Sequence, residues 1–407
     1  MRGMVNTKAI SGFLLCLVLA GCSAAPSDVV APDPILSEAS AQASKPGSKK
    51  TVLVRGEARV LRGEQPQPLL HPISKVVAAY SFDQDGQRVD YEVGKDLVVT
   101  DKGVARTMAS SVPDFEEFRY SPDHPCDRSL FSSSCARAIA KCTLSSNPCK
   151  TEHNGAPSFW YSTEPRVPEL NLNHVVYFDY ESHLNPAPIP ATPISDRIAK
   201  VQCFGDSIGA GAHTVANYYE ETDEQSWCGL LRKSLAPNTK VENHSVGGAT
   251  LPMIDQLYRE QEGNSADVVI FAAGMNDHVV QPETLDEFET RLNSLTKSAQ
   301  ERGSKVILVG FFQQNPLWVQ EVPADTQAYN AAIKRVALDL NVPFVDIAEA
   351  FTLASPTHEP YYHLTGDYMH HPNNYGQRIY YSLLLPFFLT EPQSADRFAA
   401  YVQGPWQ

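Results

Sequence analysis

Two patterns in this 407-residue chain predict an α/β protein with a second, β-rich part. Residues 195–391 alternate short apolar runs with helical segments, which is typical of a three-layer α/β/α domain around a parallel sheet. Residues 51–190 contain β-branched and aromatic runs without a convincing long helix, which predicts a small β-sandwich-like accessory domain. The length supports two domains.

The apolar runs in the second half are predicted to be buried parallel strands. They cover Val201 to Phe204, Val268 to Ala272, Val306 to Phe311 and Phe344 to Val345. Thr284 and Glu287 form a capping-box pattern at the start of one helix. Two more helices are predicted over Ala328 to Leu340 and Tyr375 to Leu385.

The β-rich part is predicted from short runs separated by turn residues. Two runs, Ile73 to Phe82 and Arg88 to Val93, are joined through Asp85 and Gly86, a hairpin signal. Further strands are predicted over Leu97 to Thr100 and Val175 to Tyr180, with a cysteine-rich loop at 120–155 between them. A proline-rich piece at 186–190 suits a stiff linker to the next domain.

Four polar segments in the second half follow the order that a serine hydrolase requires. They are Gly205 to Ile208, Asn243 to Gly248, Gly274 to Asp277 and Asp367 to Asn373, all expected at or just beyond strand ends. A serine nucleophile needs a base to take its proton and a carboxylate to orient that base. The oxyanion of the tetrahedral intermediate needs fixed N–H donors. The four segments supply each of these groups.

On these segments the chain resembles the SGNH (GDSL-type) hydrolase family over residues 198–390. The resemblance implies Ser207 as the nucleophile, with Asp367 and a histidine beside it. It also implies an oxyanion hole formed by the Ser207 N–H, the Gly248 N–H and the Asn276 side-chain amide. No metal and no cofactor is expected for this chemistry.

The last segment departs from the family pattern because two histidines precede the proline. His370 keeps the three-residue spacing from Asp367, whereas His371 directly precedes Pro372. We favour His371 as the base because the run from His371 to Gly376 resembles the helix entry of the family, with Pro372 at a position where a missing N–H costs little. His370 is the alternative base. The other histidines beside these segments, His213, His244 and His278, are expected to be polar rim residues.

The net charge of −14 argues against binding of nucleic acid or an anionic membrane surface through a basic face, because phosphate recognition relies on Lys and Arg. Residues 1–21 have the charged start and short apolar core of a signal peptide. Their end resembles a lipoprotein processing site, which makes Cys22 the expected lipidated residue, although an ordinary signal peptide is an alternative. Residues 22–50 are poor in apolar groups and are expected to be a flexible tether.

These features predict an exported protein, anchored by lipid to the membrane, with the outer membrane of a Gram-negative bacterium as the expected location. Apart from Cys16 in the signal peptide and Cys22, the chain has six cysteines. In an oxidising compartment this even number favours disulfides over a zinc site, whose cysteine ligands are usually closer together in the sequence. A bridge between Cys203 and Cys228 would brace the region after Ser207. The six cysteines that could form disulfides are Cys126, Cys135, Cys142, Cys149, Cys203 and Cys228.

The expected activity is hydrolysis of acyl esters, with O-acetyl groups on carbohydrate as the preferred substrate. That preference rests on analogy with exported family members that carry an extra β-domain. A lipid esterase, an O-acyltransferase and a glycan-binding lipoprotein without turnover are the alternatives. Residues 392–407 are expected to be a C-terminal tail.

Overall fold

The computed structural model describes residues 50–115 except 84, 152–153, 156–157, 174–184, and 198–388 except 236, 262 and 317–321. All of these residues belong to one compact unit, residues 48–407. The predicted signal peptide, Cys22, the tether apart from Lys50, the proline-rich linker, the C-terminal tail and four of the candidate cysteines lie outside the described residues. Among the helices that are described, none has the length and apolar character needed to cross a membrane.

The α/β part is built on a five-stranded sheet in which every neighbouring pair is parallel. Its strand order is β10-β9-β11-β12-β13. The central strands are almost fully buried, as expected when helices cover both faces of a parallel sheet. The strands are β9 (Lys200–Phe204), β10 (Lys240–Asn243), β11 (Val268–Ala272), β12 (Lys305–Val309) and β13 (Phe344–Val345).

The helices alternate with these strands along the chain. The capping box is confirmed, because the Thr284 side chain accepts from the Glu287 N–H while Glu287 accepts from the Thr284 N–H. The described helices are α1 (Val215–Glu220), α2 (Trp227–Ser234), α3 (Leu251–Arg259), α4 (Asp277–Val280), α5 (Leu285–Glu301), α6 (Pro323–Asp339), α7 (Ile347–Ala354), α8 (Pro360–His363) and α9 (Asn374–Leu384), with a 3₁₀ turn at Leu385–Phe388. The three-layer α/β prediction is confirmed.

The N-terminal part is β-rich, as predicted, and its sheets are antiparallel. The larger sheet has the order β1-β8-β2-β3, and β2 and β3 form the predicted hairpin. The strands are β1 (Lys50–Val60), β2 (Lys75–Phe82), β3 (Arg88–Asp90), β4 (Leu97–Thr100), β5 (Gly103–Arg106), β6 (Glu152–His153), β7 (Ala156–Pro157) and β8 (Val175–Leu184).

Strand β1 joins the β-rich part to the α/β part through buried polar contacts. The Val60 N–H donates to Nδ1 of His363 at 3.1 Å, and the Arg59 guanidinium donates to the Ala354 carbonyl at 3.4 Å. Arg59 is itself fully buried and paired with the equally buried Glu57. A buried ion pair is costly unless it is fully hydrogen-bonded, so these groups fix β1 against helices α7 and α8.

Candidate active site

Ser207 lies in a tight turn directly after strand β9. The Asp206 carboxylate accepts the Ile208 N–H at 2.8 Å, and the Ser207 carbonyl accepts the Ala212 N–H at 2.9 Å. A disulfide between Cys203 in β9 and Cys228 in α2 is present, as the sequence suggested. The turn leaves the serine side chain partly exposed at the carboxyl end of the parallel sheet.

The imidazole of His371 connects Ser207 to Asp367. Its Nε2 lies 2.9 Å from the Ser207 hydroxyl oxygen, and its Nδ1 lies 2.6 Å from Oδ2 of Asp367. An ionised Asp367 accepts from Nδ1–H, which leaves the lone pair of Nε2 to accept the serine hydroxyl. The three side chains thus have the geometry of a nucleophile, a base and an orienting acid.

The Asp367 carboxylate is held rigidly in its charged form. Its second oxygen, Oδ1, accepts the backbone N–H groups of Met369, His370 and His371 at 2.9, 3.0 and 3.1 Å. Burial alone would raise the pKa of this carboxyl, but the neighbouring His371 and its hydrogen bond outweigh burial and lower the pKa. The acid therefore stays ionised and aims the imidazole at Ser207.

His370 takes no part in this chain of hydrogen bonds through its side chain. Its backbone N–H binds Asp367, while its buried ring lies 4.0 Å from the ring of His371. Burial lowers the pKa of His370 to about 3. Of the two histidines, the structure brings only His371 to both Ser207 and Asp367.

Pro372 lies at the entry of the last helix, just outside its first turn. Helix α9 begins at Asn374, and the side chain of its N-cap Asn373 accepts the N–H groups of Tyr375 and Gly376. Pro372 precedes the cap. The Asp367–Asn373 segment also follows the short helix α8 instead of a strand end, unlike the other three segments.

The three predicted oxyanion donors come from loops that bind one another. The Val246 N–H donates to the Gly205 carbonyl at 3.0 Å, and the Asn276 amide donates to the Ala249 carbonyl at 3.0 Å. Gly248 has φ +74°, a conformation that favours glycine. Among the described residues, none accepts the backbone N–H of Ser207 or Gly248, so both donors are available to a substrate.

Asp277 clamps the two oxyanion loops together, a role that sequence reasoning did not identify. Its carboxylate accepts the Leu251 N–H at 2.7 Å and the Gly274 N–H at 3.0 Å. Burial raises the pKa of Asp277 to about 6. The acid next to the predicted Asn276 donor was visible in the sequence, but its two acceptor contacts depend on the fold.

Asn315 is a second residue that the sequence did not single out. It follows strand β12, and its side chain donates to the Tyr368 carbonyl at 2.8 Å. Its backbone N–H donates to the Met369 carbonyl at 3.0 Å. Fully buried, it fixes the loop that carries the Asp-His pair. Its place in the loop that follows a buried strand is a sequence signal that could have found it.

The β-rich part contacts the same loop through an aromatic cluster. The Phe115 ring lies 4.9 Å from the ring of Tyr368 and 5.2 Å from that of Tyr362. The Arg62 guanidinium stands over both Phe115 and Tyr362, at 5.2 and 5.0 Å from the ring centres. Tyr368 sits between the candidate acid and base with φ +58°, so Phe115 supports the loop at a strained position.

The other histidines differ in their surroundings. His278 is buried and stacks on Phe311, so its interpretation as a rim residue was wrong. His244 is partly exposed and stacks on Phe204. His213 is also partly exposed, with its ring stacked 4.7 Å from that of His371. Where the ring packs against His371 it is desolvated, which lowers the pKa of His213 to about 4.

A parallel α/β/α domain that aligns a serine, a histidine and an aspartate defines a serine hydrolase, and this one acts on ester bonds. Residues 203–379 match the model of the GDSL-like Lipase/Acylhydrolase family. The family prediction is therefore confirmed.

Solved structures resemble this chain over its catalytic half. A member of the lipolytic protein G-D-S-L family from Veillonella parvula DSM 2008 is 17% identical, with a TM-score of 0.38, covering 47% of this chain and 99% of its own. A catalytic mutant of an acetylxylan esterase from Geobacillus stearothermophilus is 22% identical, with a TM-score of 0.37, covering 47% and 95%. No curated protein sequence matches the chain.

Proposed function

We propose that this hydrolase cleaves acyl esters through an acyl-enzyme on Ser207, with His371 as the proton carrier and Asp367 as its orienting acid. The observation that carries the proposal is the continuous hydrogen-bond chain of 2.9 and 2.6 Å from the serine hydroxyl through the imidazole to the carboxylate. Serine alone is a weak nucleophile, and this chain supplies the base that it lacks.

In the proposed first half-reaction, Ser207 Oγ attacks the carbonyl carbon while its proton passes to Nε2 of His371. The resulting imidazolium faces the buried Asp367 carboxylate, which stabilises the charge. The tetrahedral intermediate then collapses as the same proton moves to the leaving alcohol. Water repeats the sequence in the second half-reaction and releases the acid, which returns Ser207 to its starting state.

The proposed oxyanion hole consists of the Ser207 N–H, the Gly248 N–H and the Asn276 amide. Two observations support it: the unoccupied backbone donors and the contact of Asn276 with the Ala249 carbonyl beside Gly248. Preorganised donors of this kind contribute about 3 to 4 kcal/mol each to transition-state stabilisation. Asp277 would act as a positioning residue because it connects the loop that carries Gly248 to the loop that carries Asn276.

The proposed substrate is a small acyl group, preferably acetyl, on a bulky alcohol such as a carbohydrate polymer. The loop at Val246, Gly247 and Gly248 is exposed, and Ser207 and His371 are both reachable from solvent. An open site of this kind suits an ester that projects from a larger molecule. The proposed lipid anchor at Cys22 and the tether that follows would let the enzyme act on polymer near a membrane.

Two measurements test this proposal. The purified protein should hydrolyse a short-chain nitrophenyl ester, and the matched Ser207→Ala variant, which removes only the hydroxyl, should not. Acetate release from a panel of acetylated polysaccharides then tests the substrate class. Ester hydrolysis with no acetate release from any glycan would retain the esterase and reject the carbohydrate substrate.

A further inference from the structure

Two adjacent buried amides follow strand β12 and contact both halves of the candidate site. The Gln314 side chain binds within Gly274 to Asp277, the oxyanion segment. Asn315 binds the loop that carries Asp367 and His371, the catalytic loop. Gln314 is 1% exposed and Asn315 is fully buried, so packing holds both side chains in place. A single peptide unit therefore joins the contacts to the two segments.

Gln314 holds the backbone directly before the oxyanion donor. Its amide nitrogen lies 3.2 Å from the Met275 carbonyl oxygen, 2.8 Å from the Met275 sulfur and 3.3 Å from Nε2 of His278. Nδ1 of His278 donates to the Gly274 carbonyl at 3.0 Å, because a carbonyl only accepts, so Nε2 carries the lone pair that accepts from Gln314. Side chains thus hold both carbonyls that precede Asn276.

The acceptor end of the Gln314 amide supports the same interpretation. Its oxygen Oε1 is buried and has no hydrogen-bond partner among the residues that the structure describes. A buried amide oxygen without a partner lowers stability, and an apolar side chain of the same length would avoid that cost. Gln314 is therefore explained by what its N–H groups hold and not by packing alone.

Asn315 holds the catalytic loop at residues that lie between its acid and its base. The Asn315 side chain donates to the Tyr368 carbonyl at 2.8 Å, and its backbone N–H donates to the Met369 carbonyl at 3.0 Å. Consecutive Cα atoms are only about 3.8 Å apart. The contacts of Gln314 and Asn315 therefore keep the oxyanion segment and the catalytic loop at a fixed separation.

We propose that Gln314 and Asn315 act as paired positioning residues, which set the place of the oxyanion donor relative to the base. Gln314 acts on Asn276 through the backbone of the oxyanion segment. Asn315 acts on His371 through the catalytic loop. The inference rests on the proposed function, because only that reaction needs both groups at one carbonyl carbon. A misplacement of about 1 Å can cost about 100-fold in rate, so the loss of one such contact matters.

Variants that conserve shape test each contact through ester hydrolysis by the full-length protein. Gln314→Met keeps the length of the side chain and removes its donors, so kcat should fall by about 10-fold while KM changes little. Asn315→Leu should also lower kcat by about 10-fold. The matched control is Gln202→Met, the same change at a buried glutamine of β9 whose amide donates to Glu242 at 3.0 Å. It should leave kcat unchanged.

A double-mutant cycle with Asn276→Ala separates positioning from general damage. Because Gln314 acts through Asn276, adding Gln314→Met to Asn276→Ala should lower kcat by less than about 2-fold. Asn315 acts through the catalytic loop, so adding Asn315→Leu to Asn276→Ala should again cost about 10-fold. A loss from Gln314→Met that is equally large in both backgrounds would overturn the positioning role.

Urea unfolding shows whether each variant is folded. Should Gln314→Met fail to fold, His278→Phe tests the same contact, because it keeps a ring against Phe311 and removes the acceptor of Gln314. It should show the same small effect when added to Asn276→Ala. An active wild type with full kcat in both Gln314→Met and Asn315→Leu would overturn this inference alone. A wild type that hydrolyses no ester would reject the proposed function, and this inference with it.

Discussion

Replacing each of the adjacent histidines His370 and His371 by glutamine should have opposite effects on kcat: one variant stays active and the other does not. His371→Gln removes the group that bridges Ser207 and Asp367 at 2.9 and 2.6 Å, and an amide cannot accept the serine proton. We expect kcat to fall by about 10⁴-fold or more. His370→Gln keeps the backbone N–H that binds Asp367, so most of kcat should remain.

His370 also makes the stability of the protein depend on pH. Because burial lowers the pKa of His370 to about 3 from 6.5, the unfolded chain binds its proton more readily between those values. The free energy of unfolding therefore falls as the pH drops through this window. From pH 7 to pH 5 the contribution of His370 is a loss of about 2 kcal/mol.

Urea unfolding at both pH values and ester hydrolysis near neutral pH check these expectations. His370→Gln should be less destabilised by the change to pH 5 than wild type, by about 2 kcal/mol. An inactive His370→Gln protein beside an active His371→Gln protein would refute the assignment of the base. An unchanged pH dependence in His370→Gln would show that this ring is not held neutral.

Three further changes test the rest of the site. Asn276→Ala should lower kcat by about 100-fold with a smaller change in KM, because an oxyanion donor acts in the transition state; unchanged kcat would move the oxyanion hole elsewhere. Phe115→Leu should loosen Tyr368 and lower kcat by about 10-fold. The control Phe288→Leu, on the buried face of α5, should lower stability and leave kcat unchanged. A Phe115→Leu protein with the kcat of wild type would show that the β-rich part does not support the catalytic loop. Cys22→Ser should shift the protein from the membrane fraction to the soluble exported fraction, and a wild type already soluble would reject the lipid anchor.

The sequence predicted the parts of the fold that local pattern controls. The buried strands β9, β11 and β12 were visible because parallel strands covered on both faces are continuous apolar runs. Strand β10, with only Val241 strongly apolar, was not predicted because it lies at the sheet edge. Strand β1 was missed because its charged Glu57 and Arg59 are buried as a pair, which no hydropathy pattern indicates.

The candidate site was predictable for those residues whose role follows from the order of the four polar segments along the chain. Ser207, Asn276 and Asp367 lie where the order of segments put them, and the choice of His371 agrees with its hydrogen bonds to Ser207 and Asp367. Contacts between segments that are distant in sequence could not be predicted, because they depend on how the whole chain folds. Phe115 reaches the catalytic loop because its N–H donates to the Leu61 carbonyl at 2.9 Å, directly after strand β1, which packs on helix α8.

Reaction of the intact protein with a serine-directed phosphonate tests the central claim most directly. Mass spectrometry of the digested protein should find one adduct, on Ser207, formed in step with loss of ester hydrolysis. The adduct should be nearly absent from His371→Gln protein, because the serine is then not activated. Labelling at another residue, together with full activity of Ser207→Ala, would contradict the account.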